Sequence, residues 1–75
     1  MRRVVWTDEA EAQLLRLAPT DADAIMRAIE TLAERSIGFV RIMIPSDELR
    51  LYAAGCVATI VESEGFIHVL AVRKR

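Results

Sequence analysis

The chain has 75 residues, 53% of them hydrophobic and 28% charged, with a formal net charge of −1. At this length it is expected to form one domain, residues 1–75, with a thin core rarely supplying more than about 3–5 kcal/mol, so a partner is predicted. The apolar content excludes intrinsic disorder, no apolar run approaches the roughly 18 residues of a membrane span, and nothing resembles a secretion signal, so a cytoplasmic location is expected.

Residues 2 to 6 form a short β-type run. Thr7, followed by Asp8 and Glu9, reads as a helix start, with acidic side chains meeting the positive end of the helix dipole. Ala10, Leu14 and Leu17 recur at helical spacing, Arg16 falls in the last turn, and Pro19 is expected to stop this helix. Thr20 restarts it, with Asp21 and Asp23 in the new first turn. Ala22, Ile25, Met26, Ile29, Leu32 and Ala33 mark an apolar face, and Arg27, Glu30 and Glu34 a polar one. Gly38 is the expected left-handed stop, which completes a short αα-hairpin.

From there the pattern is β. Phe39 to Ile44 is followed by a turn at Pro45, Ser46 and Asp47. Glu48 to Ala53 then leads through a break at Gly55 into Cys56 to Glu62, and a turn at Ser63, Glu64 and Gly65 leads into Phe66 to Arg73. Short turns predict an antiparallel meander of four strands, with the first strand beside or between them. The fold class is therefore α+β, an N-terminal strand and an αα-hairpin followed by a four-stranded antiparallel meander. Helices can cover one face of such a sheet, which makes the other face and the edges the place to look for function.

The chemistry-bearing residues are few. Cys56, the sole cysteine, allows neither an internal disulfide nor a multi-cysteine metal site, and within an apolar run it reads as a buried, inert thiol. The carboxylates gather in first helical turns, where dipole and capping roles account for them. No serine–histidine–aspartate arrangement and no glycine-rich phosphate loop is present, so neither cofactor nor metal is expected. Strand cations remain: Arg41, Arg50, Arg73, Lys74 and Arg75, with Tyr52 and His68 as polar aromatics. Alternation puts Arg50 and Tyr52 on one face and Leu49, Leu51 and Ala53 on the other.

If the strands align, Arg41, Arg50, Lys74 and Arg75 can meet a phosphodiester backbone while Tyr52 stacks on a base; the plainer reading is a solvated sheet face. His68 is either a half-buried structural residue or a general acid or base. Trp6 is a core anchor or a binding hot spot. Residues 1–38 carry five basic and seven acidic side chains and residues 39–75 five and four. That is a slight positive bias of the sheet half, less than a dedicated nucleic-acid binder usually shows.

Three short signatures at fixed places, Val4-Val5-Trp6-Thr7 leading into the first helix, Glu48-Leu49-Arg50 opening a later strand and Val72-Arg73-Lys74-Arg75 closing the last, make the chain resemble the RelE/ParE superfamily over nearly its whole length. The resemblance implies the toxin of a type II toxin–antitoxin module, held inactive by an antitoxin. RelE-like members cleave mRNA in the ribosomal A site without metal, and ParE-like members inhibit DNA gyrase. Metal-independent cleavage needs a group to activate the ribose 2′-OH, a cation for the phosphorane charge and an acid for the leaving oxygen. The resemblance offers Arg50 and the basic pair Lys74 and Arg75, with Arg73 and His68 beside them, as catalytic candidates.

Two departures weigh against a nuclease: the middle-strand position usually held by arginine is expected at Ala58, and the sequence stops at Arg75 before any terminal tyrosine. The expected function is a RelE-like translation inhibitor acting on mRNA at the ribosome. The alternatives are a ParE-like gyrase inhibitor and a non-catalytic member that binds only an antitoxin or a second copy of itself.

Overall fold

Thr7 opens the first helix by physical necessity: its Oγ1 accepts the Ala10 N–H at 3.1 Å, satisfying one of the donors that a helix start leaves free. The computed structural model describes residues 2–35, 39–42 and 48–75. In chain order these form β1 (Arg3–Trp6), α1 (Asp8–Leu15), α2 (Pro19–Arg35), β2 (Phe39–Ile42), β3 (Glu48–Ala53), β4 (Cys56–Ser63) and β5 (Phe66–Lys74). The predicted stop at Gly38, the strand residues Met43 and Ile44, and the turn at Pro45, Ser46 and Asp47 lie outside the described residues.

One boundary differs from the sequence expectation. Pro19 does not stop α1. That helix ends at Leu15, where the Arg16 N–H bonds back to Gln13 O and the Leu17 N–H to Leu14 O, and Pro19 is the first residue of α2. A proline at the first helical position loses nothing, because its missing N–H would have had no partner there and its fixed φ already suits the helix.

The strands form one sheet in the order β1-β5-β4-β3-β2. The last four make the expected antiparallel meander, and β1 lies at the edge, parallel to β5. Arg2 fastens this arrangement. Its N–H donates to Ala33 O (3.2 Å), Nη2 donates to Leu32 O (2.6 Å), and Nη1 pairs with Glu62 at 2.6 Å. The β3–β4 connection is a two-residue loop with both residues left-handed, Ala54 at φ 51° and Gly55 at φ 74°. This is the primed geometry whose twist suits a tight hairpin, and an alanine adopts it only under strain.

Both helices pack on one face of the sheet. Ala10 from α1 and Ile25, Ile29, Leu32 and Ala33 from α2 meet Leu51, Cys56, Ala58, Ile60, Ile67, Val69 and Val72 in a single buried cluster. Each large aliphatic side chain fully buried there contributes roughly 1.5–3 kcal/mol relative to exposure. Met26, expected on the same apolar stripe, instead turns to the surface. No helix among the described residues is long and apolar enough to cross a membrane.

Candidate nucleic-acid interface

The face away from the helices is defined by what points the other way. Leu51 is buried in the core, so its neighbours Arg50 and Tyr52 face outward; Val4 and Trp6 pack on the core, so Arg3 and Val5 do too. On β4 the same alternation gives Val57, Thr59 and Val61 to the open face. Ala58, the expected site of a missing cation, is buried in the core and could not carry one outward. The residues on either side of it, Val57 and Thr59, are on the open face with Val61, so the middle strand does lack a cation there, one position away from where the resemblance put it.

On β5 the alternation is broken, and the break decides the site. Thr59 pairs with Ala71 but Ile60 with Val69, leaving Leu70 as an extra residue in a β-bulge. Before the bulge, Ile67 and Val69 face the core and Phe66 and His68 face outward. Beyond it the parity reverses, so Val72 faces the core and Arg73 outward. Without the inserted residue, Arg73 would point at the helices.

The α1 region clamps this bulge where β5 has run past the end of β1. The Thr7 N–H donates to Val69 O (3.1 Å), Thr7 Oγ1 donates to Leu70 O (3.3 Å), and the Val72 N–H donates to Gln13 Oε1 (2.8 Å). Gln13 thereby stands in for the missing strand partner.

A charge separation results that the nearly neutral composition conceals. Among the described residues the open face carries Arg3, Arg50, Arg73 and Arg75 against a single carboxylate, Glu48. Asp8, Glu9 and Glu11 sit in α1, and Asp21, Asp23, Glu30 and Glu34 in α2. Arg41 pairs with Arg50 in the β2–β3 register. The Arg50 Nε is buried and makes no hydrogen bond among the described residues. A buried donor left without an acceptor costs about 1–3 kcal/mol.

The other predicted site residues divide between the faces. Arg75 joins the open face, its guanidinium 4.9 Å from the Tyr52 ring centroid and its N–H bonded to Gly55 O at 2.8 Å. One face of the Tyr52 ring is therefore already occupied. Lys74 points to the helix side and pairs with Asp21 at 3.0 Å, so it is not gathered with the arginines. Its hydrogen bond to Asp21, reinforced by the carboxylate charge, raises its pKa above the ordinary lysine value. Burial pushes the nearby Cys56 thiol up, with the Asp21 charge adding to the effect.

His68 is half-buried on the open face, its Nε2 2.9 Å from Ser63 Oγ and its ring centroid 5.9 Å from that of Phe66. One intervening strand and two residues separate it from Arg50, about 12 Å between Cα atoms by sheet geometry. Sequence reasoning passed over Arg3 and Phe66. Phe66 shares parity with His68, but the apolar residues on both sides of β5 hid which side was open, and no local signal shows that Arg3 comes to lie beside it. On the helix side, Trp6, Glu11, Leu14 and Met26 line a cleft of about 270 Å³ beside the edge strand β1, and Leu15 is 81% exposed. Trp6 thus both packs on the core and borders a surface recess.

No family model and no curated protein sequence matches the chain. Solved structures do. A chain of the RelBE2 toxin–antitoxin complex from Mycobacterium tuberculosis matches with a TM-score of 0.79 at 16% identity, over 99% of this chain and 98% of that one. A chain of the chromosomal ParDE toxin–antitoxin system from P. aeruginosa gives 0.69 at 19% identity, over 99% and 96%. This chain has the fold found in both. At these identities the likeness is one of architecture, and it agrees with the α+β arrangement expected from the sequence.

Proposed function

We propose that this chain is the toxin component of a type II toxin–antitoxin module, acting in the cytoplasm as a translation inhibitor on mRNA at the ribosome. The observation that carries the RNA reading is the segregation of four described arginines onto the helix-free sheet face against one carboxylate. A cationic face bearing aromatics suits a single-stranded phosphodiester backbone, with the counterions of that backbone released on contact. Arg50 and Arg73 are the candidate phosphate ligands, both standing on this face.

The spread of groups on this face argues against an autonomous nuclease. His68 is the candidate acid or base, and about 12 Å of sheet separates its backbone from that of Arg50. Cleavage therefore depends on the ribosome to position the mRNA and to complete the reacting set, and free RNA is not cut. The proposed antitoxin covers the apolar recess beside Trp6, the exposed Leu15 and the edge strand β1, which has no strand partner on its outer side among the described residues.

Gyrase inhibition is the second reading, favoured by the middle of the open face, where Val57, Thr59 and Val61 supply no ionisable group for catalysis. Induced expression with primer extension on cellular mRNA, alongside a supercoiling assay with purified gyrase, separates the two. Cuts within translated codons that vanish when translation is blocked support the ribosomal reading. Loss of supercoiling without mRNA cuts moves the activity to gyrase, and an absence of both leaves a binding protein. Light scattering of the purified chain at several concentrations reports whether a second copy occupies the antitoxin's surfaces.

A further inference from the structure

We infer that Phe66 and His68 form a nucleobase-stacking platform at the β1–β5 side of the open face, with Arg3 as its phosphate contact. This inference rests on the RNA reading above and extends it from charge to base recognition. Phe66 is 39% exposed on a strand whose core-facing neighbours are fully buried, so its ring is held outside the core rather than left over from it. The His68 ring lies beside it, 5.9 Å between centroids and tilted by 35°. Ser63 Oγ, 2.9 Å from His68 Nε2, restrains the imidazole orientation.

Val5, also 39% exposed, is the register partner of His68 and continues the apolar surface across the parallel ladder. Arg3, exposed, is the register partner of Phe66 and stands on the same face. Of the acidic residues nearby, Glu62 is already paired with Arg2.

The platform differs from Tyr52 in one decisive respect. Arg75 lies over the Tyr52 ring at 4.9 Å, whereas Phe66 presents open surface. A cation beside paired aromatic rings is the combination that holds single-stranded nucleic acid, with phosphate contacts fixing the backbone and π-faces accepting any base. A protein partner burying the same apolar surface has no use for the adjoining arginine unless it brings a carboxylate, so charge complementarity selects the nucleic acid.

The test is fluorescence anisotropy of the purified full chain with a short labelled oligouridine and with an abasic oligonucleotide of equal length. Phe66→Ala is expected to weaken oligouridine binding about five- to 150-fold, the range for loss of one stacked base, and to leave the abasic affinity nearly unchanged. The slope of log affinity against log salt should stay as in wild type, because no charge is removed. Phe66→Trp should retain oligouridine binding. Thermal melts check folding, which so exposed a ring should barely influence.

If wild type binds RNA but Phe66→Ala binds oligouridine equally well, the platform is overturned and the arginine face stands, leaving the patch to a protein partner. A proportionate loss for both oligonucleotides also overturns it, since the ring would then be supporting the face rather than reading bases. If wild type binds neither oligonucleotide, the RNA reading itself has failed and the platform falls with it.

Discussion

Replacing Arg50 by alanine removes one of the four guanidinium groups described on the open sheet face, and the consequence can be worked through salt. If Arg3, Arg50, Arg73 and Arg75 each neutralise one phosphate of a single strand, log affinity falls against log salt with a slope of about −2.8, at about −0.7 per contact. Raising salt from about 50 to about 200 mM then weakens wild type about fifty-fold, and Arg50→Ala, with a slope of about −2.1, about eighteen-fold. The two binding curves should therefore converge as salt rises.

Stability should respond differently from affinity. The Arg50 Nε is buried without a hydrogen bond among the described residues, so its removal relieves an unmet donor while losing the packing of the aliphatic stem, two effects of opposite sign. Anisotropy titrations at three salt concentrations, with a thermal melt of each protein, measure both quantities. An unchanged slope in Arg50→Ala would show that Arg50 meets no phosphate. A large drop in melting temperature at constant slope would make it a structural residue, and the assignment of this face to RNA would lose its best-placed ligand.

Gln13→Leu removes the acceptor of the Val72 N–H; a loss of about 1–3 kcal/mol is expected, with weaker RNA binding as Arg73 loses its placement and rescue by Gln13→Glu. Wild-type melting and wild-type exchange protection of the Val72 amide in Gln13→Leu would show that α1 does not hold the bulge. Ala54→Asn should stabilise the β3–β4 hairpin by about 1 kcal/mol, since Ala54 occupies a left-handed position at φ 51° that asparagine tolerates better; a lowered melting temperature would contradict this.

The raised Lys74 pKa means that its pairing with Asp21 stabilises the fold below the ordinary lysine value and is lost as pH climbs through the raised one. Wild type and Asp21→Asn should accordingly differ in stability at neutral pH and converge in strong alkali; a gap that widens there would reverse the assignment. Cys56, buried and with its thiol pKa raised, should react with a thiol reagent only as fast as the chain opens. Rapid stoichiometric labelling without denaturant would show that the site is accessible.

Much of the architecture was legible in the order of residues because it follows from short-range rules. Thr7 before two acidic residues announces a helix start whatever surrounds it, and the 3.6-residue recurrence of Ile25, Ile29, Leu32 and Ala33 sets the buried stripe of α2. Alternation on β3 was enough to place Arg50 and Tyr52 opposite Leu51. Pro19 was misread because a proline marks a helix boundary without saying which side of it the proline belongs to.

The site was less legible, for a reason located at Leu70. Period-two alternation holds only while pairing is regular, and a single inserted residue reverses every side chain beyond it. Read without the bulge, Arg73 belongs to the core side of β5 and Lys74 to the open side. The structure gives the opposite, with Arg73 outward and Lys74 on Asp21. Nothing local in Leu70 announces the bulge, because its partners, Thr7 and Gln13, are about sixty residues away in the chain.

Sequence alone determined the helices, the meander, the apolar stripe and the kinds of side chain available, since those depend on neighbours within a turn or a hairpin. The sharp separation of charge was decided only by the tertiary structure. The parallel docking of β1 brings Arg3 beside β5, and the clamped bulge turns Arg73 toward the face that Arg50 and Arg75 occupy. A net charge of −1 is a sum over the chain, whereas the field that a polyanion meets depends on which residues share a surface, and that is a property of long-range pairing.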